Sequence, residues 1–251
     1  MSIDRQRIAL VTGGIGGIGT AICKELAARG MRVVAGHHPD EASQARVWQE
    51  RQRGEGHDFE LAAGDVASFE AAVAMVRDVG SRIGPVDVLV NCAGITRDKT
   101  LRKMEPEQWQ AVLRVNLDSV YNVTRQVIDG MLERGWGRIV NIASVNGQKG
   151  QFGQTNYSAA KAGMHGFTMA LAQETARKGV TVNTVSPGYI ATEMTDAMAE
   201  DVRKQIVAQI PIARMGTPEE VAYLVGVLVD ERAGYITGAN YEVNGGLFMS
   251  F

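Results

Sequence analysis

Apolar and polar positions along the chain fall into two alternating kinds of segment. Short apolar runs read as buried strands: Arg7–Thr12 (RIALVT), Arg32–Gly36 (RVVAG), Val86–Asn91 (VDVLVN), Arg138–Ile142 (RIVNI) and Val180–Val185 (VTVNTV). A weaker strand is predicted at Phe59–Ala63 and a short last one at Asn240–Val243. Between them lie stretches of helical length and composition: Gly17–Arg29, Asp40–Arg53, Ser68–Ile83, Glu107–Arg134, Asn156–Arg177 and Pro218–Leu228. Such alternation predicts an α/β fold, a single doubly wound domain over residues 1–251. Its central sheet is parallel, its crossovers right-handed, and helices cover both faces. Residues 188–214 break the pattern. They follow a strand, contain Pro211 and do not form a simple crossover. A long insertion after a strand's carboxyl end lies over the ligand crevice of such a sheet, which makes this segment a candidate substrate lid.

Composition narrows the class. At 251 residues, 45% hydrophobic and 22% charged, the chain can bury a core without disulfides or a structural metal. Cys23 and Cys92 stand far apart in apolar settings and are expected as reduced thiols, and no Cys/His spacing suggests a metal. A formal net charge of −2 provides no basic field for nucleic acid. The polar first residues and the absence of a long apolar run point away from a signal peptide or a membrane span. Cytoplasm is the expected location.

The first strand runs into Thr12-Gly13-Gly14-Ile15-Gly16-Gly17-Ile18-Gly19, which opens a helix. Glycines at a first strand–helix junction allow a tight turn and close approach of backbone to a pyrophosphate, and the helix N-terminus offers free N–H groups. Asp65-Val66, past the third strand, could take an adenine amino group. Asn91-Cys92-Ala93-Gly94 ends the fourth strand with small residues that leave room for a ribose. Taken singly these are ordinary caps and turns; their convergence on one sheet edge is what joins them. NADH and NADPH both remain open. Gly36 stands where an NAD-preferring fold usually offers an acid, and it is followed by His37-His38-Pro39-Asp40-Glu41, with no Arg or Lys before Arg46. On charge, Asp40 and Glu41 favour NADH. They are equally the acids that begin a helix.

Tyr157 and Lys161, four residues apart, share one face of a predicted helix. A phenol titrates near 10, too high for proton exchange near neutrality, and a fixed ammonium beside it is expected to lower that value. The tyrosine could then hand a proton to an oxygen that becomes an alcohol. Ser144, just past the fifth strand, is placed to hold the substrate carbonyl. Asn116 sits mid-helix as a kink, a satisfied polar residue, or an anchor for a water relay to Lys161.

These motifs, with Pro187-Gly188, occur in the order seen in the short-chain dehydrogenase/reductase family, and the chain resembles that family over essentially its whole length. The resemblance implies a single Rossmann domain, an NAD(P)H cofactor and a homotetramer. It implies catalytic Asn116, Ser144, Tyr157 and Lys161, with Ile190 and Thr192 near the nicotinamide. One departure is Cys92, where the family often has Asn. Gly94–Asp98, Gly135–Ile142 and Ser144–Tyr157 are similar to the family's reductases of short 3-oxoacyl-CoA thioesters, and the run Gln148–Gln154 is the discriminating block. The implied substrate is acetoacetyl-CoA, the product (R)-3-hydroxybutyryl-CoA, and the setting polyhydroxybutyrate synthesis. Asp98, Gln151, Phe152, Gln154 and Tyr189 would then line the acyl pocket. The Arg pair that NADPH-using relatives carry beyond the second strand is absent. Two other readings stand beside this one. One is reduction of 3-oxoacyl chains on acyl carrier protein, docked on Arg97, Lys99, Arg102, Lys103, Arg125 and Arg138. The other is a non-catalytic dinucleotide-binding redox sensor.

Overall fold

The computed structural model describes residues 5–192 and 200–250. Seven strands form one parallel sheet: β1 (Ile8–Thr12), β2 (Arg32–His37), β3 (Glu60–Ala63), β4 (Val88–Asn91), β5 (Gly137–Ile142), β6 (Val180–Pro187) and β7 (Asn240–Val243). Their spatial order is β3-β2-β1-β4-β5-β6-β7. The order reverses between β1 and β4, and a crevice opens at such a switch point, beyond the strands' carboxyl ends. Period-two alternation splits each strand between two cores. Ala9, Val11, Val33, Ala35, Val88 and Val90 pack with α1 (Gly17–Ala28) and the late helix Pro218–Leu228. Ile8, Leu10, Val34 and Leu89 face the other way, onto α3 (Phe69–Arg82) and α5 (Ser119–Arg134). Helices thus cover both faces, as the alternation of segments predicts.

Three segments differ from expectation. The predicted helix Glu107–Arg134 is not continuous. It is α4 (Pro106–Leu113), a π-helical turn over Arg114–Asp118, and then α5. π-turns insert one residue into a helix and concentrate at functional sites. Here the inserted turn lets fully buried Asn116 reach the Ile95 backbone. The expected helix from Asp40 begins as a short 3-10 turn, Pro39–Glu41, ahead of α2 (Ala42–Gly54). A short helix, α6 (Asn146–Lys149), follows β5 and precedes α7 (Thr155–Thr175). Within the proposed lid, Ile190 forms an isolated bridge with Gly216, and α8 (Glu200–Gln209) is a further helix. Residues 193–199 of that segment lie outside the described residues. The last helix, Pro218–Leu228, is α9. Among the described residues, no helix is long and apolar enough to cross a membrane.

Candidate active site

The glycine-rich turn after β1 leaves no space for side chains. Gly13 has φ of +63°, and a Cβ there would lie 2.9 Å from Ala93 Cα. A Cβ at Gly14 would lie 2.8 Å from Ala35, and one at Gly19 would overlap the Gly13 carbonyl oxygen. The Gly14 N–H donates to Gly36 O at 2.9 Å, which ties the turn to the end of β2. Gly16 caps α1 with no side chain over the helix N-terminus. A Cβ on Gly17 would meet Thr192, so the segment after β6 reaches this turn. A bare helix N-terminus faced by close-set backbone fits the pyrophosphate of a dinucleotide.

Thr12, named from sequence only as the start of the glycine-rich turn, joins that turn to the neighbouring strand. Its hydroxyl, 2% exposed, accepts from Cys92 N at 3.0 Å and Ala93 N at 3.2 Å. The signal was present, because a hydroxyl at a strand end beside a strand of small residues can substitute for a ladder bond. The Asn91 amide donates inward, to Asn141 Oδ1 at 2.8 Å and Thr124 Oγ1. Asn91 therefore meets the crevice through its backbone, with Ala93 and Gly94. Asp65 Oδ1 accepts from Ala67 N at 2.9 Å, and the Val66 carbonyl accepts from Asn122 Nδ2. The Asp65 carboxylate thus caps a turn with one of its oxygens.

At the end of β2 the acids behave as helix starters. Glu41 Oε2 accepts the His38 N–H at 3.0 Å, and His38 Nδ1 accepts from Asp40 N. The Asp40 carboxylate, 91% exposed, stands in solvent. Buried His37 turns its Nδ1 to the His38 carbonyl.

The four candidate catalytic residues come together across β4, β5, the π-turn and α7. Lys161 is 3% exposed, and its Nζ donates to Ile142 O at 2.7 Å and stands 5.6 Å from the Tyr157 ring centroid. Burial pushes the Lys161 ammonium down to about 8. Ser144, also buried, accepts from Asn146 N at 3.1 Å and hydrogen-bonds the Tyr157 hydroxyl. A Cβ on Gly94 would lie 2.8 Å from Asn116 Oδ1 and 3.5 Å from Lys161 Nζ, so only glycine lets the crevice floor come this close. The expected lowering of the Tyr157 pKa is not found in the free chain. Burial raises the phenol above its ordinary value, and the Ser144 hydrogen bond only partly opposes this. The physical reason is competition: desolvation acts on the whole phenol, while the Lys161 ammonium is turned to a backbone carbonyl. The Asn116 amide is satisfied at both ends, donating to Ile95 O and accepting from Ile95 N, each at 2.8 Å.

The expected acyl-pocket residues form a laced loop. Gln154 Nε2 donates to Asp98 Oδ2 at 2.8 Å, and its Oε1 accepts from Asn146 Nδ2 at 2.9 Å. Lys99 N donates to Gly153 O, and Gln151 Oε1 accepts from Lys149 Nζ. Gln154 is thereby a brace between two loops. Phe152, expected as an apolar wall, is 87% exposed in the free chain. Tyr189 is half-buried, and its phenol is also raised by burial. Cys92 is a free, half-buried thiol at the crevice edge, pushed up to about 11 by burial, and Cys23 is a free buried thiol.

A seven-stranded parallel sheet with a glycine turn at its switch point, and a Ser–Tyr–Lys group at the same edge, defines a dinucleotide-dependent oxidoreductase. The family model for short chain dehydrogenases matches residues 7–203, and the chain belongs to that family. It is 63% identical to an acetoacetyl-CoA reductase of Allochromatium vinosum, over 97% of this chain and 99% of the relative. It is 60% identical to an acetoacetyl-CoA reductase of Cupriavidus necator, over 97% and 99%. A 3-oxoacyl-acyl-carrier-protein reductase of Escherichia coli is 44% identical, over 97% and 98%.

Proposed function

We propose that this chain reduces the 3-keto group of acetoacetyl-CoA to (R)-3-hydroxybutyryl-CoA, as in polyhydroxybutyrate synthesis. The observation that carries the reading is the meeting of Ser144, Tyr157 and Lys161 beside the glycine cradle. Near-full-length likeness to two acetoacetyl-CoA reductases supports the substrate. A bound reduced nicotinamide would supply the hydride. Ser144 holds the carbonyl oxygen, and Tyr157 protonates it as charge develops. Lys161 replaces the tyrosine's proton. Asn116, whose amide also holds the Ile95 backbone, anchors the relay water that restores the lysine's proton. Glycines 13, 14, 16, 17 and 19, with Ile18 at the start of α1, hold the pyrophosphate. Pro187, Gly188, Ile190 and Thr192 place the nicotinamide. The described parts of the lid segment, residues 188–192 and 200–214, would cover the substrate.

The second reading, reduction on an acyl carrier protein, loses part of its docking surface. Arg138 is buried beneath Trp136, and Arg125 is paired with Asp129 at 2.7 Å. Arg97, Lys99, Arg102 and Lys103 remain exposed. Coenzyme oxidation on the two thioesters separates the readings: the CoA thioester is expected to give the higher kcat/KM, and a clear preference for the carrier thioester would reverse the assignment. Absence of oxidation on either would leave the sensor.

NADH is the coenzyme we favour. The turn after β2, His37–Glu41, contains no Arg or Lys, and exposed Asp40 would repel a 2′-phosphate. Steady-state comparison should give NADH a kcat/KM advantage of roughly tenfold, about 1.4 kcal/mol. An NADPH advantage would overturn this. The pH profile has a defined sign as well. Lys161 is an ammonium below about 8 and a neutral amine above it, whereas Tyr157 stays protonated through that range. Reductive kcat/KM is therefore expected to fall as pH rises through about 8. A rate flat to pH 10 would remove Lys161 from the proton path. Exposed apolar Phe69 and Tyr121, stacked at 6.0 Å, support a homotetramer through the face they share. A cytoplasmic location is in keeping with a CoA thioester substrate and a reduced nicotinamide coenzyme.

A further inference from the structure

The base of the lid segment is fastened by contacts that the mechanism does not use. Its two ends meet in a neck: Ala191 N donates to Gly216 O at 2.8 Å, and Gly216 N donates to Tyr189 O at 2.9 Å. Beside the neck, Arg214 grips both carboxylate oxygens of Glu220 on α9, at 2.9 Å and 2.6 Å. Between α8 and the neck runs a return leg, Ile210-Pro211-Ile212. It turns at Ala213, whose φ of +58° lies in the left-handed region that residues other than glycine rarely take. Such a backbone persists only where its neighbours hold it. The neighbour here is the turn after β7. A Cβ on Gly245 would lie 2.7 Å from Ile212 Cγ2 and 2.8 Å from Ile210 Cγ2, and one on Gly246 would lie 3.1 Å from Pro211 Cγ. Ile212 N donates to Gly245 O at 3.2 Å. Gly245 and Gly246 have φ of +63° and +84°, so the turn and the close approach both call for glycine. The first residue of the same turn meets the catalytic crevice. A Cβ on Gly188 would lie 2.8 Å from Asn244 Cα, and Gly188 N donates to Val243 O at 2.8 Å. Asn244 is itself fixed, its Oδ1 accepting from Gly246 N and its Nδ2 donating to Phe248 O. A cavity of about 400 Å³ lies beside this contact, lined in part by Tyr189, Ile212, Arg214 and Phe248. That space lets the return leg shift without unpacking the sheet.

We propose that the turn Asn244-Gly245-Gly246 is a seat that sets the height of the lid above the nicotinamide floor, and that Gly245 is thereby a positioning residue for the acyl-CoA substrate. The inference rests on the reductase reading above. Gly188 packs on Asn244, and the return leg packs on Gly245 and Gly246. Floor and cover are therefore gauged from one short stretch of backbone. Tyr189 stands on the leg that leaves Gly188, so a substrate held between the two legs feels any change in their separation. Carbon atoms pack at about 3.5–4.0 Å, so a methyl group at position 245 must push Ile210 and Ile212 away by roughly 1 Å. The glycine turn after β1 and the end of β4 lie on other elements and keep their places. Ser144, Tyr157 and Lys161 stand past β5 and on α7, so the chemical step keeps its groups. A lid seated too high then weakens substrate binding and leaves the chemistry intact, which appears in KM and not in kcat.

The test uses the full-length protein with acetoacetyl-CoA and NADH. The unsubstituted protein is measured first: if it does not oxidise coenzyme, the reductase reading and the inference fall together. If it does, Gly245→Ala should raise KM for acetoacetyl-CoA about tenfold, with kcat within about threefold and NADH affinity within about twofold. Gly135→Ala is the control for backbone strain. Gly135 has φ of +67° and no atom within 4 Å of its Cβ, so alanine there should lower the melting temperature and leave KM unchanged. Ile212→Ala carries the test if Gly245→Ala does not fold. It removes a side chain that rests on the turn, from a residue 56% exposed, and should raise KM about fivefold. A KM rise below about threefold, a loss confined to kcat, an equal KM rise in Gly135→Ala, or an equal loss of NADH affinity assigns the turn to stability alone. Any of these overturns the proposal, with the reductase reading intact.

Discussion

Tyr157→Phe is expected to lower kcat for acetoacetyl-CoA reduction by about a thousandfold or more, with coenzyme affinity within about twofold of the unsubstituted protein. The substitution removes one hydroxyl and keeps the ring that packs 5.6 Å from Lys161 Nζ. Ser144 still holds its hydrogen bond from Asn146 N, and Lys161 keeps Ile142 O. Binding groups for the dinucleotide, on the glycine turn and the end of β4, are untouched. What is lost is the proton donor alone. Because burial already disfavours the ionised phenol, removing the hydroxyl should change stability by about 1 kcal/mol or less. Turnover followed by coenzyme absorbance, with calorimetric titration of the coenzyme and a thermal melt, separates these effects. A rate near that of the unsubstituted protein would take Tyr157 out of the proton path.

Gly19→Ala should weaken coenzyme binding by about a hundredfold, near 2.8 kcal/mol, and lower the melting temperature. An alanine Cβ there overlaps the Gly13 carbonyl oxygen and stands 2.9 Å from Gly14 Cα. The turn has no room to retreat, because Gly13 is stacked on Ala93 and Gly14 on Ala35. It must shift outward, into the space a pyrophosphate needs, or pull α1 off the sheet. Gly30→Ala provides the control. Gly30 has φ of +81°, so alanine is strained there, but no atom lies within 4 Å of its Cβ. Its cost should appear in the melt and leave coenzyme affinity unchanged. Equal loss of affinity in both variants would mean that Gly19 acts through stability and not through the turn.

Much of the fold was legible because its signals are local. Val- and Ile-rich runs bounded by glycine, and helices of ordinary length between them, define strands within one or two residues of those observed, as at Arg138–Ile142 against Gly137–Ile142. The Tyr157–Lys161 spacing needs only helix periodicity to place both on one face. The π-turn was not legible. Residues 107–134 have unbroken helical composition, and the extra residue at Arg114–Asp118 answers to Ile95, a partner about twenty positions away. The Gln154 brace escaped for the same reason, since its partners Asp98 and Asn146 come from two different loops.

The order of residues alone pointed to most of the strands and helices and to the side chains that are candidates for proton chemistry, because backbone periodicity and residue type are properties of neighbours. Tertiary packing decided how those side chains are tuned. Whether the phenol is raised or lowered depends on water excluded by elements remote in sequence. Whether Asn91 and Gln154 face ligand or brace the interior depends on which distant amides compete for them. Desolvation and hydrogen-bond competition act through space, so no spacing along the chain records them.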